Sequence, residues 1–139
     1  MTEAISGIIV AVAVIILTQL LSKYFTAKLM AATILVAIAF IYVGFSLKGN
    51  VVTYIILECT MALMFYFLAL IGYARNSLWI AIGIILHGVW DILHHQGWLI
   101  KTDVPGYWPS FCIIVDVIDG LYFFFIFRLR TFAGTRIQS

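Results

Sequence analysis

An apolar stretch that carries four ionisable side chains occupies residues 78–95, which read LWIAIGIILHGVWDILHH. Its length falls within the range of about 17 to 25 residues that a membrane-spanning helix needs. Its second half nevertheless contains one aspartate and three histidines, namely His87, Asp91, His94 and His95. Ionisable side chains are costly in hydrocarbon and mark functional sites when they occur there. The stretch therefore predicts a membrane span and a polar site within it.

The composition of the whole chain agrees with a membrane protein. Of its 139 residues 65% are apolar and only 10% are charged, whereas soluble domains are near half apolar and a quarter charged. So few charges cannot cover the surface of a small soluble domain. The net charge of +2 is too small to indicate a nucleic-acid partner. Cys59 and Cys112 both lie in apolar runs, so no disulfide scaffold is predicted.

Five apolar runs are long enough to cross a bilayer, and short polar breaks separate them. They predict an all-α, integral membrane bundle of five transmembrane helices that forms a single domain over residues 1–139. The connection between the last two runs is the longest and contains Trp98, Tyr107 and Trp108, which are typical of the membrane interface. The predicted spans are Gly7–Leu21, Leu29–Ser46, Val51–Tyr73, Leu78–His95 and Ser110–Phe127.

The positive side chains indicate the orientation of this bundle. Two of them, Lys48 and Lys101, lie on the side of the N-terminus. Cytoplasmic loops are enriched in Lys and Arg, so we expect a multi-pass cell-membrane protein with its N-terminus outside and its C-terminus in the cytoplasm. Six lie on the opposite side: Lys23, Lys28, Arg75, Arg128, Arg130 and Arg136.

The acids are distributed differently from the bases, because four of the six lie inside the spans. At 1.5 Å per helical residue, Glu58, Asp91 and Asp116 lie about 10, 6 and 9 Å below the outer face. Three helices thus place carboxyl groups in one layer near the outer leaflet. The first two spans offer no comparable ligand at that depth. The four acids are Glu58, Asp91, Asp116 and Asp119.

The spacing in the fourth span suits metal coordination. Asp91 follows His87 by four residues and precedes His94 by three, and both spacings place side chains on one helix face. Helical metal sites combine such pairs with carboxylates from neighbouring helices. Carboxylate and imidazole ligands suit Zn, Fe or Mn. We expect one or two such divalent ions, and two would balance the charge of the four buried acids. The predicted ligands are His87, Asp91, His94, His95, Glu58 and Asp116.

Several functions fit such a site, as does a core of hydrogen-bonded histidines with no ligand. The first is metal-dependent hydrolytic or oxidative chemistry on a lipid-soluble small molecule, with catalytic carboxylates at Glu58, Asp91, Asp116 and Asp119. The second is a metal-free acid–base isomerase or cyclase that uses Glu58 and Asp116. A binding or sensing module whose site holds a metal ion or a cofactor is a third.

A proton- or metal-ion transporter or channel is the remaining alternative. The inner halves of spans three to five are nearly all apolar, whereas a conduction path needs polar groups along its length. A homo-oligomeric pore lined by the first span, which contains Thr18 and Gln19, would avoid this objection.

The polar motif also resembles a known family. Residues His87 to His95 read HGVWDILHH, and they are followed by Val104-Pro105, Pro109, Phe111-Cys112 and Asp116. This pattern is similar to a family of small bacterial integral membrane proteins with a domain of unknown function and a His-x-x-Trp-Asp-x-x-His-His signature. The resemblance covers about residues 83–120. It implies a bacterial inner-membrane protein with a site at these residues, and it names no substrate.

Overall fold

The computed structural model describes residues 2–95 and 98–136, with side chains described as far as residue 129. Gln96 and Gly97 in the fourth connection, and the side chains of Arg130 and Arg136 used in the charge count, lie outside the described residues. Within the described ranges the chain forms five α-helices and no strand. The helices are α1 (Thr2–Leu21), α2 (Ala27–Gly49), α3 (Val52–Ala74), α4 (Leu78–His94) and α5 (Trp108–Arg136).

Four of these helices are long and apolar enough to cross a membrane, namely α1, α2, α3 and the Trp108–Leu129 part of α5. The fourth helix, α4, is apolar but has only 17 residues. It is therefore about 25 Å long, which is shorter than the roughly 30 Å of a typical hydrocarbon core. The prediction of an all-helical protein is confirmed, and four of its helices have the length and composition of membrane spans.

Local sequence explains where α2 begins and ends. The Thr26 side chain accepts a hydrogen bond from the Leu29 backbone N–H at 3.2 Å and caps the first turn. At the other end Asn50 adopts a left-handed conformation, with φ of 53°, and its N–H donates to the Ser46 carbonyl. Asparagine tolerates this conformation better than most residues. The chain can therefore reverse at Asn50 and lead directly into α3.

The shortest helix, α4, lies at the centre of the bundle and packs against α2, α3 and α5, while α1 packs on α5. Glycines allow the close approach of α4 and α5. A Cβ at Gly120 would lie 2.5 Å from Ile85 Cγ1 and 3.3 Å from the Ala81 carbonyl oxygen, and one at Gly88 would lie 3.3 Å from Asp116 Cβ. The absence of these methyl groups brings Asp116 next to the polar face of α4.

The interior of the bundle is apolar at one end and polar at the other. Near the α3–α4 turn, a continuous buried cluster includes Ala69, Ile80, Ile84, Phe123 and Phe127. The buried acids and histidines lie toward the end where α4 connects to α5. Much of the outer surface is apolar and exposed, as expected for a surface that faces lipid. The fold thus presents one polar region inside an otherwise apolar helical protein.

Candidate functional site

Six ionisable side chains of the predicted site are buried in this polar region. None of them is more than 3% exposed. Polar groups in such positions need hydrogen bonds or counter-charges. Their contacts divide most of them between two neighbouring clusters. The six are Glu58, His87, Asp91, His94, Asp116 and Asp119.

The first cluster, named here the His87 cluster, consists of His87 and Asp91 from α4 and Asp116 from α5. His87 Nδ1 lies 2.7 Å from Asp116 Oδ2 and 3.7 Å from Asp91 Oδ1. Each residue offers one nitrogen or oxygen atom, and these three atoms lie within 4.8 Å of one another. Three potential ligand atoms therefore converge from two helices in the interior of the bundle.

Tyr42 of α2 completes the surroundings of this cluster. Its buried hydroxyl donates a hydrogen bond to Asp91 Oδ1 at 2.7 Å. Its ring centroid lies 4.3 Å from that of His94 and 5.8 Å from that of His87. No ligand is expected from the first two spans at this depth, but α2 supplies a hydrogen-bond donor to the central carboxylate that the sequence did not indicate.

The second cluster, named here the Glu58 cluster, joins α3 to the end of α4. His94 Nε2 lies 2.8 Å from Glu58 Oε1, and His94 Nδ1 lies 3.0 Å from the Trp90 carbonyl oxygen. The Trp90 indole N–H donates to Glu58 Oε2 at 3.3 Å, and the Thr102 hydroxyl donates to Oε1 at 2.6 Å. Both ring nitrogens of His94 thus face acceptors. A proton on Nδ1 and a second proton held between Nε2 and Glu58 Oε1 satisfy every one of these contacts.

Thr102 comes from the connection between α4 and α5, which folds back over the Glu58 cluster. The backbone N–H groups of Leu99 and Ile100 both donate to the Leu93 carbonyl, at 3.2 and 3.1 Å. Ile100 and Thr102 are 8% and 9% exposed. This connection therefore covers one end of the polar region and contributes a hydrogen-bond donor to it.

Two predicted site residues belong to neither cluster. His95 Nδ1 forms a hydrogen bond with the Ser110 hydroxyl at 3.2 Å, so this histidine contacts the first turn of α5. Asp119 is 1% exposed and lies one turn along α5 from Asp116. Neither of its carboxylate oxygens has a hydrogen-bond partner within the described part of the chain. The structure thus places three of the six predicted ligands within reach of one ion and directs the other three elsewhere.

The donor set of the His87 cluster fits a divalent cation. One imidazole nitrogen and two carboxylates are ligands that Zn, Fe and Mn accept, and two carboxylates balance the charge of one such ion. Asp91 Oδ2 is buried with no partner in the described residues, which leaves capacity for a further contact. Three protein ligands with a remaining open position are typical of catalytic metal sites, whereas structural zinc sites have four.

These features define a class of protein, an all-helical chain with helices long and apolar enough to span a membrane and with a buried histidine–aspartate cluster. Residues 2–128 match the model of the Family of unknown function (DUF6010), and the chain belongs to this family. The match extends beyond residues 83–120, where the sequence motif suggested it, and includes α1, α2 and α3. No curated protein and no solved structure matches the chain.

Proposed function

We propose that this protein is a membrane-embedded, metal-dependent enzyme that acts on a lipid-soluble substrate. The observation that carries the proposal is the convergence of His87, Asp91 and Asp116, whose three ligand atoms lie within 4.8 Å of one another. Two buried carboxylates without a cation would be costly in an apolar interior, and the Lys and Arg residues lie at span ends or in connections. A divalent ion resolves this imbalance.

The proposal includes five membrane spans, with the N-terminus outside and the C-terminus in the cytoplasm. If α4 spans the membrane, the two clusters would lie nearer the outer face, and the excess of Lys and Arg on the opposite side of the bundle supports this direction. Trp98 and Tyr107 lie in the connection between α4 and α5. They are 67% and 57% exposed, as expected for side chains at the membrane interface. The polar region would then be reached from the outer leaflet.

The residues divide into three roles in this scheme. His87, Asp91 and Asp116 would hold the ion, and Tyr42 would orient Asp91 through its hydroxyl. When bound, a divalent ion supplies Lewis acidity for hydrolytic or oxidative chemistry. The Glu58–His94 pair can hold and transfer a proton at His94 Nε2, and it lies one helical turn from Asp91. The site thus combines an electrophilic centre with an adjacent proton carrier.

Metal analysis of the full-length protein tests this proposal. Protein purified in detergent without chelator should contain about one Zn, Fe or Mn ion per chain. His87→Ala and Asp91→Asn should each lower the metal content at least about tenfold, since even indirect ligand contacts influence affinity by that factor. His95→Ala is the matched control, because His95 lies on the same helix but pairs with Ser110. Wild-type protein without metal, or full occupancy in His87→Ala, would contradict the proposal.

A metal-free acid–base isomerase or cyclase is the second candidate. The observation that favours it is the short contact between His94 Nε2 and Glu58 Oε1, supported by the donors Thr102 and Trp90. Such a pair carries a transferable proton without any ion.

Nitrogen NMR of histidine-labelled protein tests the proton arrangement of this pair. Both ring nitrogens of His94 should show protonated shifts, because both face acceptors. Glu58→Gln should return one of them to the unprotonated range, and the His95 signals should stay unchanged. A neutral His94 in the wild-type protein would remove the basis of this second candidate.

A further inference from the structure

A second feature of the interior is an apolar cavity of about 250 Å³ bounded by α1, α2 and α5. Val10 and Val14 form one wall, and Ile38 and Ile41 form the opposite wall. Val10 and Ile41 are 38% and 36% exposed, so the cavity opens between α1 and α2 toward the surface that faces lipid. Its volume corresponds to about eight water-sized groups, which suits part of one hydrocarbon chain.

Two of the residues that line this otherwise apolar cavity, both from α5, are acidic. Asp116 and Asp119 both line it, and Asp116 is at the same time a member of the His87 cluster. The cavity therefore connects the lipid-facing surface to the proposed metal site. A chain that enters between α1 and α2 would bring its head to these two carboxylates.

The carboxylate oxygens of Asp119 indicate which chemical group the head of the bound chain carries. The side chain is 1% exposed, and both of its oxygens lack a hydrogen-bond partner within the described residues. Buried polar atoms in folded proteins are nearly always paired, so Asp119 lacks donors that a ligand can supply. A primary ammonium offers three donors and a positive charge, whereas a hydroxyl offers one donor and no charge. An ammonium can therefore satisfy both oxygens and balance the carboxylate.

We propose, as an extension of the function proposed above, that the cavity between α1 and α2 binds the substrate, and that this substrate is a long-chain lipid with a primary ammonium head held by Asp119. The hydrocarbon chain would lie between Val10, Val14 and Ile41 and continue into the bilayer. The head would then lie beside Asp116 and so next to the His87 cluster. Asp119 acts here as a binding residue and does not hold the metal ion.

Photolabelling of the full-length protein in lipid nanodiscs tests this assignment. The probe is a long-chain primary amine with a diazirine in its chain, and the matched probes are the corresponding alcohol and hydrocarbon. The amine should label peptides of α1 and α2 that line the cavity about tenfold more than either matched probe, as expected for a charge-assisted hydrogen bond. Equal labelling by the three probes would overturn the proposal.

Two variants separate the head contact from the cavity itself. Asp119→Asn should reduce amine labelling to the level of the alcohol, and Val14→Trp should reduce it by filling the cavity without altering either carboxylate. Asp103→Asn is the control, since that acid is exposed and lies near Lys48. Full amine labelling in a folded Asp119→Asn protein, judged by circular dichroism, would overturn the proposal.

Metal content measured on the same samples distinguishes this inference from the proposed function. Asp119→Asn should retain the metal, and His87→Ala should lose it while keeping amine labelling. Amine labelling in a wild-type protein that contains no metal would support the lipid site and contradict the metal proposal. Loss of metal in Asp119→Asn with unchanged labelling would identify Asp119 as a ligand and overturn the lipid proposal.

Discussion

At the scale of single residues, the site depends on donors that reach its carboxylates from helices other than their own. The Tyr42 hydroxyl donates a hydrogen bond to Asp91, and the Thr102 hydroxyl donates one to Glu58. The carboxylates themselves could be predicted from the sequence, because acids within apolar spans are rare and costly. Neither donor could be predicted, because a tyrosine in an apolar helix and a threonine in a connection are both ordinary residues there. Only the packing of α2 and of the fourth connection makes them part of the site.

Tyr42→Phe tests the contribution of one such donor. Loss of the hydroxyl leaves Asp91 Oδ1 without that hydrogen bond, so we expect the free energy of unfolding to fall by about 1–3 kcal/mol. Metal affinity should fall about 10- to 100-fold, as for other residues that orient a ligand. Thermal unfolding in detergent and competition with a chelator measure the two effects. Tyr24→Phe is the control because Tyr24 is 69% exposed, and an equal loss in that variant would contradict the role of Tyr42.

At the scale of elements, α4 distributes its polar residues between two neighbours. The spacing of its residues predicts that His87, Asp91 and His94 share one broad face of the helix. A single metal site that contains all three residues is therefore expected from the sequence. In the structure His87 and Asp91 meet Asp116 of α5, whereas His94 meets Glu58 of α3. Helical periodicity gives the direction of each side chain but not which helix lies opposite, so the division into two clusters could not be predicted from the sequence.

Gly120→Ala tests the close approach of α4 and α5. The added methyl group would lie 2.5 Å from Ile85 Cγ1 and 3.2 Å from the Ile85 backbone nitrogen, so the helices must separate. We expect a loss of about 1–3 kcal/mol in the free energy of unfolding, measured in detergent, together with reduced metal content because Asp116 moves away from His87.

Gly44→Ala is the matched control for that substitution. Gly44 lies within α2, and a Cβ there meets no heavy atom within 4 Å. Alanine should leave stability unchanged or raise it by up to about 1 kcal/mol through helix propensity. Equal destabilisation by both substitutions would show that helix separation is not the cause.

At the scale of the whole molecule, the apolar runs predicted the helical architecture well, because hydrophobic length alone sets where membrane helices occur. The buried apolar cluster around Ile80 and Phe123 fills the end of the bundle near the α3–α4 turn. Because apolar side chains occupy this end of the bundle, the polar groups of the site do not extend from one end of the bundle to the other. A continuous path for ions would need polar groups along its whole length. Transport therefore ranks below enzymatic function as an interpretation of the fold.

Reporter fusions test the topology and the spanning role of α4 together. A fluorescent protein fused to the C-terminus should fluoresce, and alkaline phosphatase fused there should be inactive, because five spans from an outside N-terminus end in the cytoplasm. A phosphatase inserted at Asn50 is the control and should be active. Active phosphatase at both Asn50 and the C-terminus would show an even number of crossings and would contradict the spanning role of α4. Active phosphatase at the C-terminus alone, with an inactive insertion at Asn50, would instead reverse the proposed orientation.

The length of α4 has a consequence for the surrounding lipid. If α4 spans as proposed, its length of about 25 Å is roughly 5 Å less than a typical hydrocarbon layer, and such hydrophobic mismatch thins the adjacent leaflets or draws in flanking side chains. Thinning beside α4 would bring headgroup water closer to the buried carboxylates than the helix positions alone suggest. The proposed enzymatic activity should therefore depend on bilayer thickness and be highest in membranes of short-chain lipids.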